Sequence, residues 1–174
     1  LAGPIDFTPG VFNIKLDPYR ENNQVNTTLA HQLALYVVIY SPIQMACDLP
    51  EYYENQPAFQ FIRDVGVDWD TTIVLNGEVG EYVTIARKER ETGNWFLGSI
   101  TNEIGWEIVV KPDFLDKGTK YNSIIYIDGP NAHWDKNPQE IEIKQLDISN
   151  RESIKLNLAQ GGGAAISFIK TDYE

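Results

Sequence analysis

The stretch Trp106-Glu107-Ile108-Val109-Val110-Lys111 decides the fold. Trp106, Ile108 and Val110 alternate with Glu107, Val109 and Lys111. Successive side chains of an extended chain point to opposite faces, so this pattern buries one face and wets the other. Ile154, Leu156 and Leu158 repeat it against Lys155 and Asn157. Working outward, the same period of two predicts strands at Thr71–Asn76, Glu81–Lys88, Trp95–Thr101, Trp106–Lys111, Tyr121–Asp128, Ile141–Ile148, Ser153–Leu158 and Ala164–Lys170. Between Ile143 and Leu146 the apolar phase slips by one residue, which predicts a β-bulge. Thr92-Gly93-Asn94, and Asn76-Gly77 or Val79-Gly80, carry the chemistry of tight hairpin turns. Many short strands without intervening helices imply a mainly β protein, an antiparallel Greek-key β-sandwich of about eight strands.

Upstream of Gly66 the period differs, and the chain divides there into residues 1–66 and 67–174. The first clear helix is expected at Thr28–Tyr40, with N-cap oxygens offered by Asn26, Thr27 and Thr28. Leu33 to Tyr40 is apolar at every position. A helix apolar almost all round needs neighbours on both sides. Pro42 stops or kinks it. Asp48 with Glu51 fits a capping box for a short helix at Leu49–Glu54. A further helix restarts at Pro57, presents Phe59 and Ile62, and ends at Gly66. The opening, Ala2 to Gly10, holds two prolines and two glycines that interrupt any regular element. It starts at Leu1 without an initiator Met, which suggests a processed or truncated chain, and carries no signal peptide.

Composition narrows the partners. The 174 residues include 43% hydrophobic and 22% charged, as in a folded soluble protein. The formal net charge is -11. Such a surface repels phosphate backbones, and no Lys/Arg cluster offers a local basic patch, so nucleic acid is excluded as the expected partner. No membrane partner is expected either. Neutral partners such as sugars stay open. Cys47 is the single cysteine. It rules out an intrachain disulfide and reads as a small buried hydrophobe.

Several segments, taken in order, resemble glycoside hydrolase family 97. Gly3-Pro4-Ile5-Asp6-Phe7-Thr8-Pro9-Gly10 resembles the stretch near the end of that family's catalytic barrel. Thr28-Leu29-Ala30-His31-Gln32-Leu33-Ala34-Leu35-Tyr36-Val37-Val38 resembles the barrel's final helix, and Ser41-Pro42-Ile43-Gln44-Met45-Ala46 follows it as in the family. Leu75 to Arg87, Asn94 to Thr101 and the run Gly161-Gly162-Gly163 resemble the C-terminal domain. Each motif alone is weak, whereas their order and spacing together are specific. The resemblance covers nearly the whole chain. It implies a parent with an N-terminal β-sandwich, a (β/α)₈ catalytic barrel and a C-terminal β-sandwich. On this reading residues 1–66 are the terminal strand and helix segment of the barrel, and residues 67–174 the accessory sandwich that buttresses it. The resemblance further implies hydrolysis of α-glucosidic or α-galactosidic bonds by the parent, a calcium ion near its catalytic centre, an oligo- or polysaccharide substrate, and a periplasmic or secreted location. None of the family's catalytic carboxylate or calcium-ligand motifs matches a position here. The chain alone is therefore expected to be inactive, and to hide its apolar helix by self-association or by folding Leu1–Gln24 back over it. An independent carbohydrate-binding module is the alternative reading.

Glycoside hydrolysis needs two carboxyl groups flanking the scissile bond, about 5–9.5 Å apart. With 25 Asp and Glu residues, pairs are easy to find and mean little. Asp6 alone stands out, between apolar residues in the barrel-like segment. It reads either as a sugar contact in the intact enzyme or as an Asx-turn acceptor for nearby backbone. His31 has no metal partner at matching spacing and reads as a structural helix residue. His133 reads as a loop residue. Of the four tryptophans, Trp95 and Trp106 belong in the core and Trp69 at the junction between the two segments. Trp134, in the loop Gly129–Pro138, is the best exposed aromatic candidate for stacking on a sugar ring, although packing against the protein is the leading reading even there.

Overall fold

A computed structural model describes residues 4–16 and 23–171. Three helices come first: α1 (Leu29–Val38), α2 (Pro50–Tyr53) and α3 (Phe59–Asp64). Eight strands follow: β1 (Trp69–Glu78), β2 (Tyr82–Glu89), β3 (Trp95–Thr101), β4 (Trp106–Val110), β5 (Tyr121–Asp128), β6 (Ile141–Ile148), β7 (Ile154–Leu158) and β8 (Gly163–Lys170). All their pairings are antiparallel. The sheets are unequal: six strands in the order β1-β2-β3-β8-β5-β6, and the pair β4-β7.

The alternating stretches that marked the fold form the smaller sheet. Ile108 and Val110 of β4, and Ile154, Leu156 and Leu158 of β7, are buried, while Glu107, Val109, Lys155 and Asn157 are exposed. Their buried sides meet Ala86, Trp95, Leu97, Tyr121, Ile125, Ile166 and Phe168 on one face of the large sheet. The opposite face of that sheet is covered by α1. There Phe96, Tyr126 and Ala165 join Leu29, Leu33, Tyr36 and Val37 in a second cluster, completed by Phe12, Ile14 and Phe61. The helix that is apolar almost all round thus finds its cover within the chain. The described part of Leu1–Gln24 lies against it, with Gly10 and Val11 N–H donating to the Gln32 side chain.

Several local expectations fail for identifiable reasons. β6 pairs with β5 in unbroken register from Ile141 to Ile148, without a bulge. It is an edge strand, so Ile143 and Leu146 sit largely in solvent and need not share a phase. The register shifts fall in the other edge strand, β1, between Trp69 and Thr71 and between Val74 and Asn76. Asp48 does not cap α2, whose N-cap is Leu49 with no side-chain bond. Its carboxylate accepts instead from Phe12 and Asn13 N–H, both at 2.7 Å. Cys47 is exposed, not buried. Gly66 does not end α3 in a left-handed turn; Val65 is the extended C-cap, and a side chain at Gly66 would collide with Glu89. The two hairpins close at Gly80 (φ 83°) and Gly93 (φ 69°), positions where only glycine avoids strain.

Candidate functional site

The residues of greatest chemical interest hold α1 onto the sheet. Thr28 is the N-cap, its Oγ1 accepting from His31 N–H. The same hydroxyl donates to Asp128 Oδ1 at 2.6 Å. Asp128, at the end of β5, is buried, and its Oδ2 accepts from Ala159 N–H at 2.9 Å and Gly163 N–H at 2.8 Å. One carboxylate therefore ties the helix N-terminus, β5, the end of β7 and the start of β8. Negative charge at a helix N-terminus also opposes the positive end of the helix dipole. Burial pushes the Asp128 carboxyl up to about 6, while the bonds from Thr28, Ala159 and Gly163 pull it down.

The triple glycine makes this approach possible. A Cβ on Gly162 would overlap Asp128 Oδ2, and one on Gly163 would stand 2.7 Å from His31 Cα and 2.8 Å from Ser99 O. His31 Nδ1 lies 3.0 Å from Gly162 O, so the neutral ring donates there. Burial pulls the His31 imidazole down to about 4, against the opposing bonds to the Gly162 and Gly161 backbone.

A cation secures the other end of α1. Arg87 of β2 is buried, and its Nε donates to Val37 O at 2.6 Å while Nη1 donates to Thr72 Oγ1 at 2.7 Å. Its guanidinium lies 5.6 Å from the Tyr40 ring centre and 6.0 Å from that of Trp69. Cations favour the C-terminal end of a helix, whose last carbonyls lack partners. Between the clamps, Gly98 lets the backbones meet: a Cβ there would sit 2.5 Å from Ala34 O. None of Asp128, Arg87 and Gln32 was singled out from the sequence. The only available signals were an Asp closing an apolar strand and three successive glycines.

The segment 4–16 is held in turn by α1 and its neighbours. Tyr36 Oη donates toward Pro9 O at 3.1 Å, and burial raises its phenol. Tyr53 Oη donates to Gly10 O at 2.9 Å and accepts from Asp48 N–H at 2.8 Å; burial pushes it up to about 12. Phe7 forms a parallel bridge with Gln44. Asp6, beside it, is exposed, and its carboxylate meets no hydrogen-bond partner among the described residues. Ile5, Ile39, Tyr40, Ile43 and Met45 expose apolar surface around this end of the helix.

Trp95 and Trp106 pack in or against the core between the sheets, and Trp69 sits in the cluster beneath α1. Trp134 is half-buried beside a pocket of about 300 Å³. The described residues contain no group of three or more His, Cys, Asp or Glu side chains that could hold a metal. The most buried carboxylate, Asp128, already turns both oxygens to N–H and O–H donors, so it does not fit a calcium ligand. No described helix is long and apolar enough to cross a membrane.

Comparison with known proteins gives this scaffold a family. A profile described as the glycosyl-hydrolase 97 C-terminal domain, oligomerisation, matches residues 68–169. A retaining alpha-galactosidase of Bacteroides thetaiotaomicron is 34% identical over 172 residues, covering 95% of this chain and 25% of that protein. A probable retaining alpha-galactosidase of Streptomyces bingchenggensis is 37% identical over 133 residues, covering 76% of this chain and 19% of that protein. The solved structure of a family 97 enzyme from Pseudoalteromonas sp. strain K8, in complex with panose, superposes with a TM-score of 0.92 at 47% identity, covering 98% of this chain and 27% of that one. The chain thus spans about a quarter of the length of such relatives. Matched along nearly all of its own length to their C-terminal portion, the chain belongs to glycoside hydrolase family 97.

Proposed function

We propose that this chain is the accessory part of an α-glycosidase, a rigid support on which the last helix of the catalytic barrel is mounted. The observation that carries the reading is the double clamp on α1. Asp128 at one end and Arg87 at the other fasten a barrel-like helix to the sheet through buried, charge-assisted bonds. A binding module with no neighbouring domain has no need to fix such a helix at both ends. The division at residue 66 then separates barrel-derived elements from the sandwich that carries them, although both share one buried cluster.

In this reading the parent hydrolyses α-glucosidic or α-galactosidic bonds of an oligo- or polysaccharide, outside the cytoplasm, in the periplasm or secreted. The names of the relatives and the bound panose support a sugar substrate. The catalytic carboxylates and the calcium ion belong to parts of the parent other than this chain. Asp6, exposed near the start of the barrel-like segment, is on this reading a sugar contact of the intact enzyme. The test is an assay of the 174-residue chain beside the full-length parent on aryl α-glucoside and aryl α-galactoside. Turnover by the parent and none by the chain is expected; enzyme-like turnover by the chain after repurification refutes the accessory role.

The exposed apolar strip of Ile5, Ile39, Tyr40, Ile43 and Met45 supports a second role for the isolated chain, self-association. Sedimentation checks it. A concentration-dependent dimer that Ile43→Lys dissolves is the expected result, and a monomer at every concentration contradicts it.

A further inference from the structure

Three features converge beside Trp134 that the support of α1 does not use. The first is a pocket of about 300 Å³ lined by Asn26, Thr101, Asn102, Glu103, Trp134 and Gly161. Its size lies at the lower end of small-molecule sites, enough for one ring. The second is the state of its polar groups. Asn26 and Glu103 are exposed, and their side chains meet no partner among the described residues. The indole N–H of Trp134 also meets no acceptor there, and it is not sealed away like the buried, unpartnered ring nitrogens of Trp69, Trp95 and Trp106. Three residues whose side-chain hydrogen-bonding groups meet no partner among the described residues, Asn26, Glu103 and Trp134, thus line one concavity.

The third feature is rigidity. Trp134 N–H donates to Gln160 O at 3.1 Å, and Gln24 Nε2 donates to Trp134 O at 3.3 Å. The His133 ring stacks beside the indole, with centroids 5.8 Å apart and planes at 28°. His133 is fixed in its turn by paired backbone bonds with Asn137 and by Asp135 N–H donating to its Nδ1. Gly161 opens the space at the indole: a Cβ there would stand 2.7 Å from Trp134 Cβ. A preorganised aromatic group reduces what is lost on binding.

We infer that the pocket bounded by Trp134, Asn26 and Glu103 is a carbohydrate subsite that takes one neutral pyranose ring of an oligosaccharide. The indole supplies an apolar platform for the C–H face of the ring. The Glu103 carboxylate accepts from ring hydroxyls, and the Asn26 amide both donates and accepts. The net charge of -11 and the acidic Glu103 disfavour anionic ligands and leave neutral hydroxylated ones. The inference stands apart from the supporting role proposed above: Gly161 serves both through its backbone, but the side chains of Asn26, Glu103 and Trp134 take no part in the Asp128 or Arg87 clamp.

The test is a ¹H–¹⁵N NMR titration of the chain with maltotriose and, separately, with melibiose, the Trp134 indole signal being assigned by its loss in Trp134→Phe. A saturable millimolar-range shift of that signal with at least one sugar is expected, together with shifts at Asn26 and Asn102. Trp134→Ala should abolish the shifts at Asn26 and Asn102. Glu103→Gln and Asn26→Ala, both at exposed positions, should each weaken binding about tenfold with an unchanged spectrum elsewhere, and they decide the matter if Trp134→Ala perturbs the fold. No saturable shift with either sugar, an equal response to glycerol, or unaltered binding in both Glu103→Gln and Asn26→Ala overturns the inference. Either failure leaves the activity assay and the clamp untouched.

Discussion

The two faces of the six-stranded sheet are held by different physics. The face under β4 and β7 is closed by Ile108, Val110, Leu156 and Leu158 against Leu97, Ile166 and Phe168, and its buried polar side chains among the described residues are uncharged hydroxyls such as Thr84 and Ser99, bonded to each other. The face under α1 has an apolar centre as well, but Asp128 and Arg87 fix the helix at its ends. A strand pair is positioned by its ladder and its alternating pattern. A single helix lying on a sheet has no ladder to set its place, and directional bonds at its termini do that instead. The contrast teaches that a burial pattern can specify which surfaces meet, while a buried charge specifies where along the surface they stop.

The strongest challenge to this comparison is Val37→Asp. Val37 is fully buried beneath the helix, and an unpaired carboxylate there should cost more than about 4 kcal/mol. Urea unfolding measures it. A variant as stable as the wild type would mean that α1 does not lie on the sheet as described. Leu156→Ala probes the other face and should cost about 2–5 kcal/mol through the cavity it leaves.

Asp128→Asn sharpens the comparison by touching only the clamp. An amide in place of the carboxylate cannot accept from Thr28, Ala159 and Gly163 at once, and leaves a buried donor unmet, at about 1–3 kcal/mol. Hydrogen exchange should quicken first at His31 and Gly163, with Ile108 and Leu156 little changed. In the wild type, strands 95–101 and 164–170 should remain better protected than residues 4–13. Uniform loss of protection would show that the clamp is not local.

The pH dependence has two opposed parts. Asp128 has its folded pKa raised, to about 6, so its stabilising contribution is complete below the unfolded value near 3.8 and is lost as pH rises through 6. His31 has its folded pKa lowered, to about 4, so its contribution is complete above 6.5 and is lost as pH falls toward 4. His31→Asn should therefore lessen the loss of Tm as pH falls from 6.5 toward 4, by about 5 °C or more. Asp128→Asn should flatten the fall between pH 4 and pH 6. Parallel profiles for the two variants would remove the charge-based account of the clamp. The smallest effects belong to exposed sites: Cys47→Ser and Ile143→Thr should each stay within about 0.5 kcal/mol, measured by the same unfolding.

Legibility in the sequence follows the same divide. The strands were readable because Trp106–Val110 and Ile154–Leu158 alternate strictly, and so was the hairpin at Gly93; the other turn was open between Asn76-Gly77, which lies inside β1, and Val79-Gly80, where Gly80 carries it. β6 misled, because an edge strand with both faces partly wet does not have to keep its apolar residues in phase. Asp48 misled as well. A capping box and a bond to the remote backbone of Phe12 and Asn13 use the same carboxylate, and only packing selects between them. Of the pocket residues, Trp134 stood out in the sequence as an aromatic in a polar loop, where the structure leaves it half-buried. The roles of Asn26 and Glu103 beside it were not, since they come from distant parts of the chain.

By itself the sequence determined the antiparallel β fold, the helix that needs cover on all sides and, through ordered motifs, the family. Those properties are carried by side-chain period and turn chemistry, which act within a few residues. The tertiary structure alone decided that six strands share one sheet and two the other. It also brought Asp128 to the N-terminus of α1, Arg87 to its C-terminus, and Trp134 to a pocket with Asn26 and Glu103. Each of these joins groups far apart in sequence, and a polar side chain's partner is set by whichever donor or acceptor the packed backbone leaves within about 3 Å of it.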